Sequence, residues 1–376
     1  MNERSLTGDP DDPHRFADEL GPIKVVHVSE RTTGLRATVV IDNVALGQAI
    51  GGVRMAPDVT VEECFRLARA MSLKNAAAGL RHGGGKSVIV GDPRMPAAGK
   101  ERLVRAFARA IADLDEYAPG PDMGTDETCM AWIHDEIGRA VGLPEALGGI
   151  PLDEVGATGF GLAAAVDVAA EHVGVSLAGA RVVVQGFGAV GRHTARFLAE
   201  RGCVLVGACD SRGAVVDPGG LDVEALIATA RQGSVAAHPA GEPCDLDALL
   251  DVECEIWVPA ARPDVVTADN VDRLHTRVFA QGANIPATPV AEVRMHERGI
   301  VSLPDFVANA GGVICGAVEY AGGTRAQALA MIDERVRANV AAVLERSAAT
   351  GVTPRAAAME MAGSRLRGAM STRRFH

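Results

Sequence analysis

Residues 181–210 read RVVVQGFGAVGRHTARFLAERGCVLVGACD, and their order decides the fold of the C-terminal half. RVVVQ is a β-branched run of the buried-strand type. Gly186-Phe187-Gly188-Ala189-Val190-Gly191 follows at once as a GxGxxG, HTARFLAER has helical spacing, and CVLVGACD forms the next strand. That strand ends on Asp210, 19 residues after Gly191. A strand, a glycine turn and a helix in this order present a helix N-terminus and bare backbone to a pyrophosphate. Asp210, with Ser211 beside it, can accept hydrogen bonds from adenosine ribose hydroxyls, which favours NAD. Arg212 could instead meet a 2′-phosphate, so NADP stays open. Working outward, EIWVPAA, RVFAQGAN and GIVSLPDF read as further strands between helices. Such alternation predicts a doubly wound parallel sheet.

The 376 residues are 48% hydrophobic and 23% charged, enough for two cores. A net charge of −11 and an aromatic content of 3% argue against nucleic-acid binding, which needs basic stripes and stacking platforms. The first residues lack the apolar core of a secretory signal. No run of about 18 apolar residues suggests a membrane span. Seven scattered cysteines without a CxxC read as reduced thiols, and ten histidines without an HExxH give no metal site. A metal-free cytoplasmic protein is expected.

The N-terminal half is organised differently. Apolar alternation from Ile23 to Ile41 suggests strands. Thr60 and Glu63 form a capping box, opening a helix whose stripe Cys64, Leu67, Ala68 and Met71 continues to Lys74. RHGGGKSVIVGDP then places a glycine loop and Lys86 before a short strand from Ser87 to Val90. GGGKS is not a P-loop, because Leu80 stands where that motif needs glycine and the helix precedes the strand. An amphipathic helix over 100–117, a turn at APGPDMGTDE and a helix over about 128–141 follow. The Gly/Pro-rich stretch 142–159 marks a hinge, and helix resumes from Phe160 to His172. The expected domains are 1–149, 150–322 and a helical segment 323–376.

Arginine outnumbers lysine 33 to four, yet Lys74 and Lys86 lie within one short segment. Lysine can exchange its proton where arginine cannot. With Gly51, Gly52 and Asp122 these lysines form a candidate substrate site. Lys74 is placed to pair with a carboxylate, Lys86 to polarise or act as a base, and Asp122 to move protons.

GGVRM (51–55), MSLKNAAAGLRHGGGKSVIVGDPR (71–94), APGPDMGTDETCMAW (118–132), ATGFG (157–161), VVVQGFGAVG (182–191), QGANIPAT (281–288) and PDFVANAGGV (304–313) together resemble the glutamate/leucine/phenylalanine/valine dehydrogenase family. The resemblance implies NAD(P)-dependent reversible oxidative deamination of an L-amino acid to a 2-oxo acid and ammonia. It implies that Lys74 holds the α-carboxylate, Lys86 activates water and Asp122 is the general acid/base. Asn309 would position substrate and nicotinamide. Thr158, the turn 186–191, Asp210 and Asn284 would hold the cofactor. Cleft closure between two domains, a C-terminal segment 323–376 packing back towards the first domain, and a homo-oligomer are further implications.

Glutamate-specific members carry a lysine immediately before the glycine pair and a serine shortly after NAGGV. Here Ile50 and Gly316 occupy those positions, with Val313 nearby. Around the lysines the phrasing is nearer the leucine/valine/phenylalanine branch, whereas MGTDETCMAW and CDSRGAVVDPGGLD read more like glutamate enzymes. An apolar amino acid is therefore expected, with glutamate as the alternative. Two rivals are a non-catalytic NAD-binding regulator on this fold and a 2-hydroxy-acid dehydrogenase using His82.

Overall fold

The computed structural model describes Asp12 and residues 14–373. The chain forms two compact α/β units. The first comprises residues through Pro151 with Gly316–Thr324 and Ala362 onward; the second comprises Leu152–Cys315 and Arg325–Met361.

In the first unit, strands β1 (Lys24–Glu30), β2 (Leu35–Asn43), β3 (Ala49–Ala56), β4 (Gly83–Val90) and β5 (Tyr117–Pro121) lie in the order β1-β2-β4-β3-β5. β1, β2 and β4 pair antiparallel, while β3 runs parallel to both β4 and β5. Helix α1 (Val61–Ala77) starts where the capping box places it, with Thr60 Oγ1 accepting from Glu63 N–H. It covers one face of the sheet, packing Cys64 and Ala68 on Val40 and Val88. Helices α2 (Ala97–Ala110) and α3 (Glu127–Ile137) cover the other, setting Phe107, Met130 and Ile133 against Val39, Ile41, Val53 and Met55. Period-two alternation assigns the remaining residues. Ile50, Gly52 and Arg54 share the α1 face of β3, and Lys86 shares the α1 face of β4.

Two strands of this unit are not evident from the sequence. β3 holds two glycines, and β5 is Tyr-Ala-Pro-Gly-Pro, which reads as a turn. Because β5 is an edge strand, its prolines forfeit no ladder bond. The glycines before Lys86 lie inside β4 rather than in a loop. A Cβ at Gly84 would sit 2.0 Å from the Ser72 backbone nitrogen, and one at Gly85 2.9 Å from the Tyr117 ring. Glycine is used there so that α1 and Tyr117 can press directly on the strand.

The second unit opens with α4 (Leu152–Val155) and α5 (Ala157–His172). α5 begins three residues before the expected Phe160, after Gly156 turns the chain at φ +69°. Then come β6 (Arg181–Gln185), α6 (Ala189–Ala199), β7 (Val204–Cys209), β8 (Ala214–Val216), α7 (Val223–Gln232), β9 (Glu242–Cys244), β10 (Ile256–Pro259), β11 (Val278–Ala280), α8 (Pro289–Glu297), β12 (Val301–Leu303), α9 (Asp305–Ala308) and α10 (Gly311–Tyr320). The sheet order is β12-β11-β10-β6-β7-β8-β9, parallel from β12 to β7 and antiparallel at β8 and β9. This is the doubly wound sheet expected, and its order reverses between β6 and β10, where such sheets bind ligands.

The C-terminal segment differs from expectation. It is two helices, α11 (Arg325–Thr350) and α12 (Pro354–Thr372), separated at Gly351 with φ +71°. α11 belongs to the second unit because it packs on α5. Ile332 lies against Gly161, and Arg337 bonds Asp167 at 2.6 Å. Only the part from Ala362 joins the first unit, where Arg365 donates to the Ala76 and Ala77 carbonyls. Among the described residues no helix is long and apolar enough to cross a membrane.

Gly84→Ala tests the contact of α1 with β4. Overpacking there should destabilise the first unit by about 3 kcal/mol, read as a lower urea midpoint. An unchanged midpoint would contradict the contact.

Candidate active site

Lys86 is 5% exposed on β4, and its amine donates to Asp122 Oδ2 from the end of β5. The two meet across β3 because Gly52 has no side chain; a Cβ there would lie 2.7 Å from the Asp122 Cβ. Gly51 serves the same end on the opposite face, where its Cβ would fall 1.6 Å from the Gly85 carbonyl oxygen. The glycine pair is thus a packing requirement of the site.

Asp122 has further partners. Its Oδ1 accepts from Met123 N–H at 2.5 Å and from the Arg54 guanidinium at 3.3 Å, and Arg54 also donates to Glu63 at 2.6 Å. Burial pushes the Asp122 carboxyl up. The Lys86 charge and hydrogen bond, with Met123 N–H and Arg54, outweigh it, so the group lies below the usual carboxylate range. Arg54 was missed in the sequence reading. The signal was available, since it stands two residues after Gly52 and shares that face of β3.

Lys74 lies in the last turn of α1 and is half-buried. The buried stripe of α1 is Cys64, Ala68, Ser72 and Asn75, so Lys74 flanks it beside half-buried Leu67 and Met71. The expected continuous stripe is therefore rotated by one position.

Ile50 is 9% exposed in a small apolar cluster with Ala118 and Val141, against which Tyr320 packs. Gly316 joins this cluster, since a Cβ on it would lie 2.8 Å from Val141 Cγ1. Glu319, on the same helix, is buried and its carboxylate accepts from the backbone N–H groups of Gly142, Leu143 and Ile150 at 2.7–3.0 Å. That grip fixes the backbone beside Val141. Val141 and Glu319 lie far apart in sequence, so no local pattern announced them. His82 places Nδ1 3.2 Å from the Gln48 carbonyl, and burial pushes its pKa down. Among the described residues no carboxylate orients it, as a 2-hydroxy-acid mechanism would require.

In the second unit Gly186 takes φ +96° and sits against Ala261, while Gly191 passes so close to Gly186 that a Cβ would be 1.9 Å from its carbonyl oxygen. Gly188 caps α6 and has nothing within 4 Å of its Cβ position. The open space beside Gly188 and the bare N–H groups of Ala189 and Val190 suit a pyrophosphate. A cavity of about 930 Å³ runs from this turn past Phe187, Asp210 and Ser211 to Trp257 and Arg262. Asp210 is held in place: Oδ1 accepts from Arg212 N–H and Ser234 Oγ, and Oδ2 from Val235 N–H. Burial raises its carboxyl and these bonds lower it more, leaving it below the usual range.

Asn309 and Asn284, 25 residues apart in sequence, touch: Asn309 Nδ2 donates to Asn284 Oδ1 at 3.1 Å and to the Gly282 carbonyl at 3.2 Å. Asn309 is 5% exposed, and its buried Oδ1 has no partner among the described residues, an acceptor left for a ligand donor. Thr158 occupies the first turn of α5, with its Oγ1 3.0 Å from the Cβ position of Gly312. Val313, on the first turn of α10, is half-buried. These groups fit a dinucleotide: a bare glycine turn, an acid at the end of the second strand, and an amide pair at the same edge of the sheet.

Two family models match the chain. Residues 148–374 match the Glutamate/Leucine/Phenylalanine/Valine dehydrogenase model, and residues 22–139 match the Glu/Leu/Phe/Val dehydrogenase dimerisation domain. A glutamate dehydrogenase of Aeropyrum pernix is 38% identical over 80% of this chain and 77% of its own length. An NADP(+)-dependent glutamate dehydrogenase of Pyrobaculum calidifontis is 36% identical over 96% and 91%. The crystal structure of the hetero-hexameric glutamate dehydrogenase of Thermus thermophilus, in its Leu-bound form, superposes with a TM-score of 0.81 at 30% identity, covering 93% of this chain and 89% of that one. These relatives are glutamate dehydrogenases, so whole-chain similarity does not follow the leucine/valine/phenylalanine branch expected from the residues around the lysines. The chain belongs to the Glu/Leu/Phe/Val dehydrogenase family and is an amino-acid dehydrogenase, an oxidoreductase acting on CH–NH2 donors with NAD(P).

Proposed function

We propose that the substrate is an L-amino acid with an apolar side chain, of the Leu, Val, Ile or Phe type, converted reversibly to its 2-oxo acid and ammonia by a cytoplasmic homo-oligomer. The observation that carries this reading is the cluster of Ile50, Ala118 and Val141 beside the Lys86–Asp122 pair. By the family resemblance, position 50 faces the end of the substrate side chain. An anionic side chain buried against these groups would lack a counter-charge, at a cost of several kcal/mol. Glutamate is the second reading, and the named relatives favour it. NAD is the preferred acceptor in our reading, because the Asp210 carboxylate repels a 2′-phosphate, while Arg212 keeps NADP as the alternative.

When bound, NAD(P) accepts the hydride from the substrate Cα. Every other step falls to side chains of this chain. Lys74 holds the α-carboxylate. Asp122, ionised at neutral pH, takes the proton from the substrate nitrogen. Once the nitrogen is an iminium, water adds at the former Cα. Lys86 stabilises the negative charge that develops on the water oxygen. As it adds, the water gives one proton to solvent. Asp122 returns its own proton to the nitrogen, which leaves as ammonia, and the second water proton passes to solvent as the carbon closes to the 2-oxo group. Asn309 and Asn284 would hold the nicotinamide end, with Thr158 also holding the cofactor, and the turn 186–191 would take the pyrophosphate.

Purified protein is mixed with NAD or NADP and with L-Leu, L-Val, L-Ile, L-Phe or L-Glu, and reduced nicotinamide is followed by absorbance. Reduction with an apolar substrate but not glutamate is expected; reduction with glutamate alone overturns the side-chain assignment. Lys86→Ala should abolish turnover and largely spare NAD binding, and unchanged turnover would remove Lys86 from the mechanism. Redirecting the enzyme to glutamate needs three changes. Ile50→Lys and Gly316→Ser supply the partners, and Val141→Ala clears the Cβ at position 316. The triple variant should gain on glutamate relative to the Ile50→Lys, Gly316→Ser double, and equal activity would undo the pocket reading.

Asp122 also sets a pH dependence. Its lowered pKa means that its charge interactions stabilise the fold fully above the ordinary carboxylate value of about 3.9 and are lost as pH falls through the lowered folded value. Arg54→Met removes one of its two cations, so the acid limb of kcat/KM should move to higher pH. An unmoved limb would show that Arg54 does not tune Asp122.

A further inference from the structure

Arg355 stands in the first turn of α12, in the second unit, and organises a buried polar network that the reaction itself does not use. Its Nε donates to Glu292 Oε2 at 2.5 Å, and its Nη2 donates to Gln281 Oε1 at 3.0 Å and to Asp305 Oδ1 at 2.8 Å. Gln281 is fully buried and donates from Nε2 to Glu292 Oε1 at 2.5 Å and to Ser302 Oγ at 3.0 Å. The other Asp305 oxygen accepts from Ile285 N–H at 3.0 Å. One guanidinium thus ties down three acceptors on separate elements: the end of β11, α8 and the start of α9.

The tied segments carry the two asparagines. Residues 281–285 run from Gln281 through Asn284 to Ile285, which is held at φ +43°, a backbone conformation that β-branched residues avoid. Asn309 hangs from the same aspartate, its N–H donating to the Asp305 carbonyl at 2.8 Å. Both ends of the Asn309–Asn284 contact are therefore referenced to Arg355, one through Gln281 and Asp305 Oδ2, the other through the Asp305 backbone. Two buried carboxylates, Glu292 and Asp305, face this one cation. A plain surface ion pair would not be built this way, because each anion must be desolvated.

We propose that Arg355 is a positioning residue for hydride transfer: it fixes the 281–285 loop and Asn309 so that the Asn284–Asn309 pair is preset for the nicotinamide end of the cofactor. The inference rests on the assignment of those asparagines to the cofactor. In this role Arg355 acts through Gln281, Glu292 and Asp305, its hydrogen-bond partners. Its contribution is precision, and a displacement of about 1 Å at such a site costs about 10²-fold in rate.

The test uses the full-length enzyme. Arg355→Lys keeps the charge but cannot span three acceptors with a planar fork. Arg355→Met combined with Glu292→Gln removes an opposite pair of charges and serves if the lysine variant fails to fold. Hydrogen exchange of the 281–285 amides, above all that of Ile285, should accelerate while β6 and β7 keep native protection. NADH should bind with near-native affinity through the adenosine and pyrophosphate half. kcat should fall by about tenfold to a hundredfold, with a larger primary isotope effect from α-deuterated substrate. Native exchange in the loop, or native kcat and isotope effect in a folded variant with a loosened loop, would overturn the proposal. So would loss of protection across the whole unit in both variants, which would assign the network to stability alone. If the wild-type enzyme oxidises no amino acid, the proposed reaction fails, while the exchange and NADH measurements still decide whether Arg355 orders the loop.

Discussion

A lysine amine at 5% exposure needs an anion beside it, and Lys86 has Asp122. Breaking such a pair leaves an uncompensated buried charge, at a cost of about 3–5 kcal/mol. The first unit is arranged around that requirement. The sheet order sets β3 between the strands bearing the two residues, Gly52 keeps the path between them clear, and Gly84 lets α1 lie directly on β4. Arg54 then adds a second cation to Asp122 and is itself balanced by Glu63. Two cations and two carboxylates close the charge count locally. This four-residue network can be buried because it is nearly neutral.

The second unit meets a different constraint. It needs a surface without side chains at the sheet edge where an anionic ligand binds. Gly186, Gly188 and Gly191 meet it in three ways: a positive φ, an open side and a close crossing. Each answers a separate geometric demand, which is why the motif tolerates other residues at its three intervening positions.

Much of this was legible in the sequence, for reasons that differ by residue. The strand-glycine-helix order of 181–199 is local and therefore legible, although α6 begins at Ala189 within the glycine motif rather than at His193. The capping box at Thr60 is local as well. By contrast, β5 contains Pro119 and Pro121, and only its edge position makes a strand of it; no local rule states which strand lies at an edge. The same limit hid Val141 and Glu319, because the segment beside Val141 meets the Glu319 carboxylate across 177 residues of chain. Lys86 and Asp122 were named from residue type, but their pairing depends on β3 lying between them. The side-chain reading around Ile50 and the whole-chain similarity to glutamate dehydrogenases draw on different evidence. A handful of residues sets which side chain fits, whereas overall identity is dominated by the scaffold.

The grip of Glu319 separates two kinds of change that usually travel together. Its carboxylate holds peptide N–H groups of Gly142, Leu143 and Ile150, not their side chains. A backbone held in this way keeps its course when its side chains are exchanged, provided the positive-φ glycines Gly142 and Gly148 stay. The segment is thus a natural place for lineages, or for combinatorial libraries, to vary the lining next to Val141 without re-solving the fold. Position 319 has no such latitude, since only an anion can answer three converging donors.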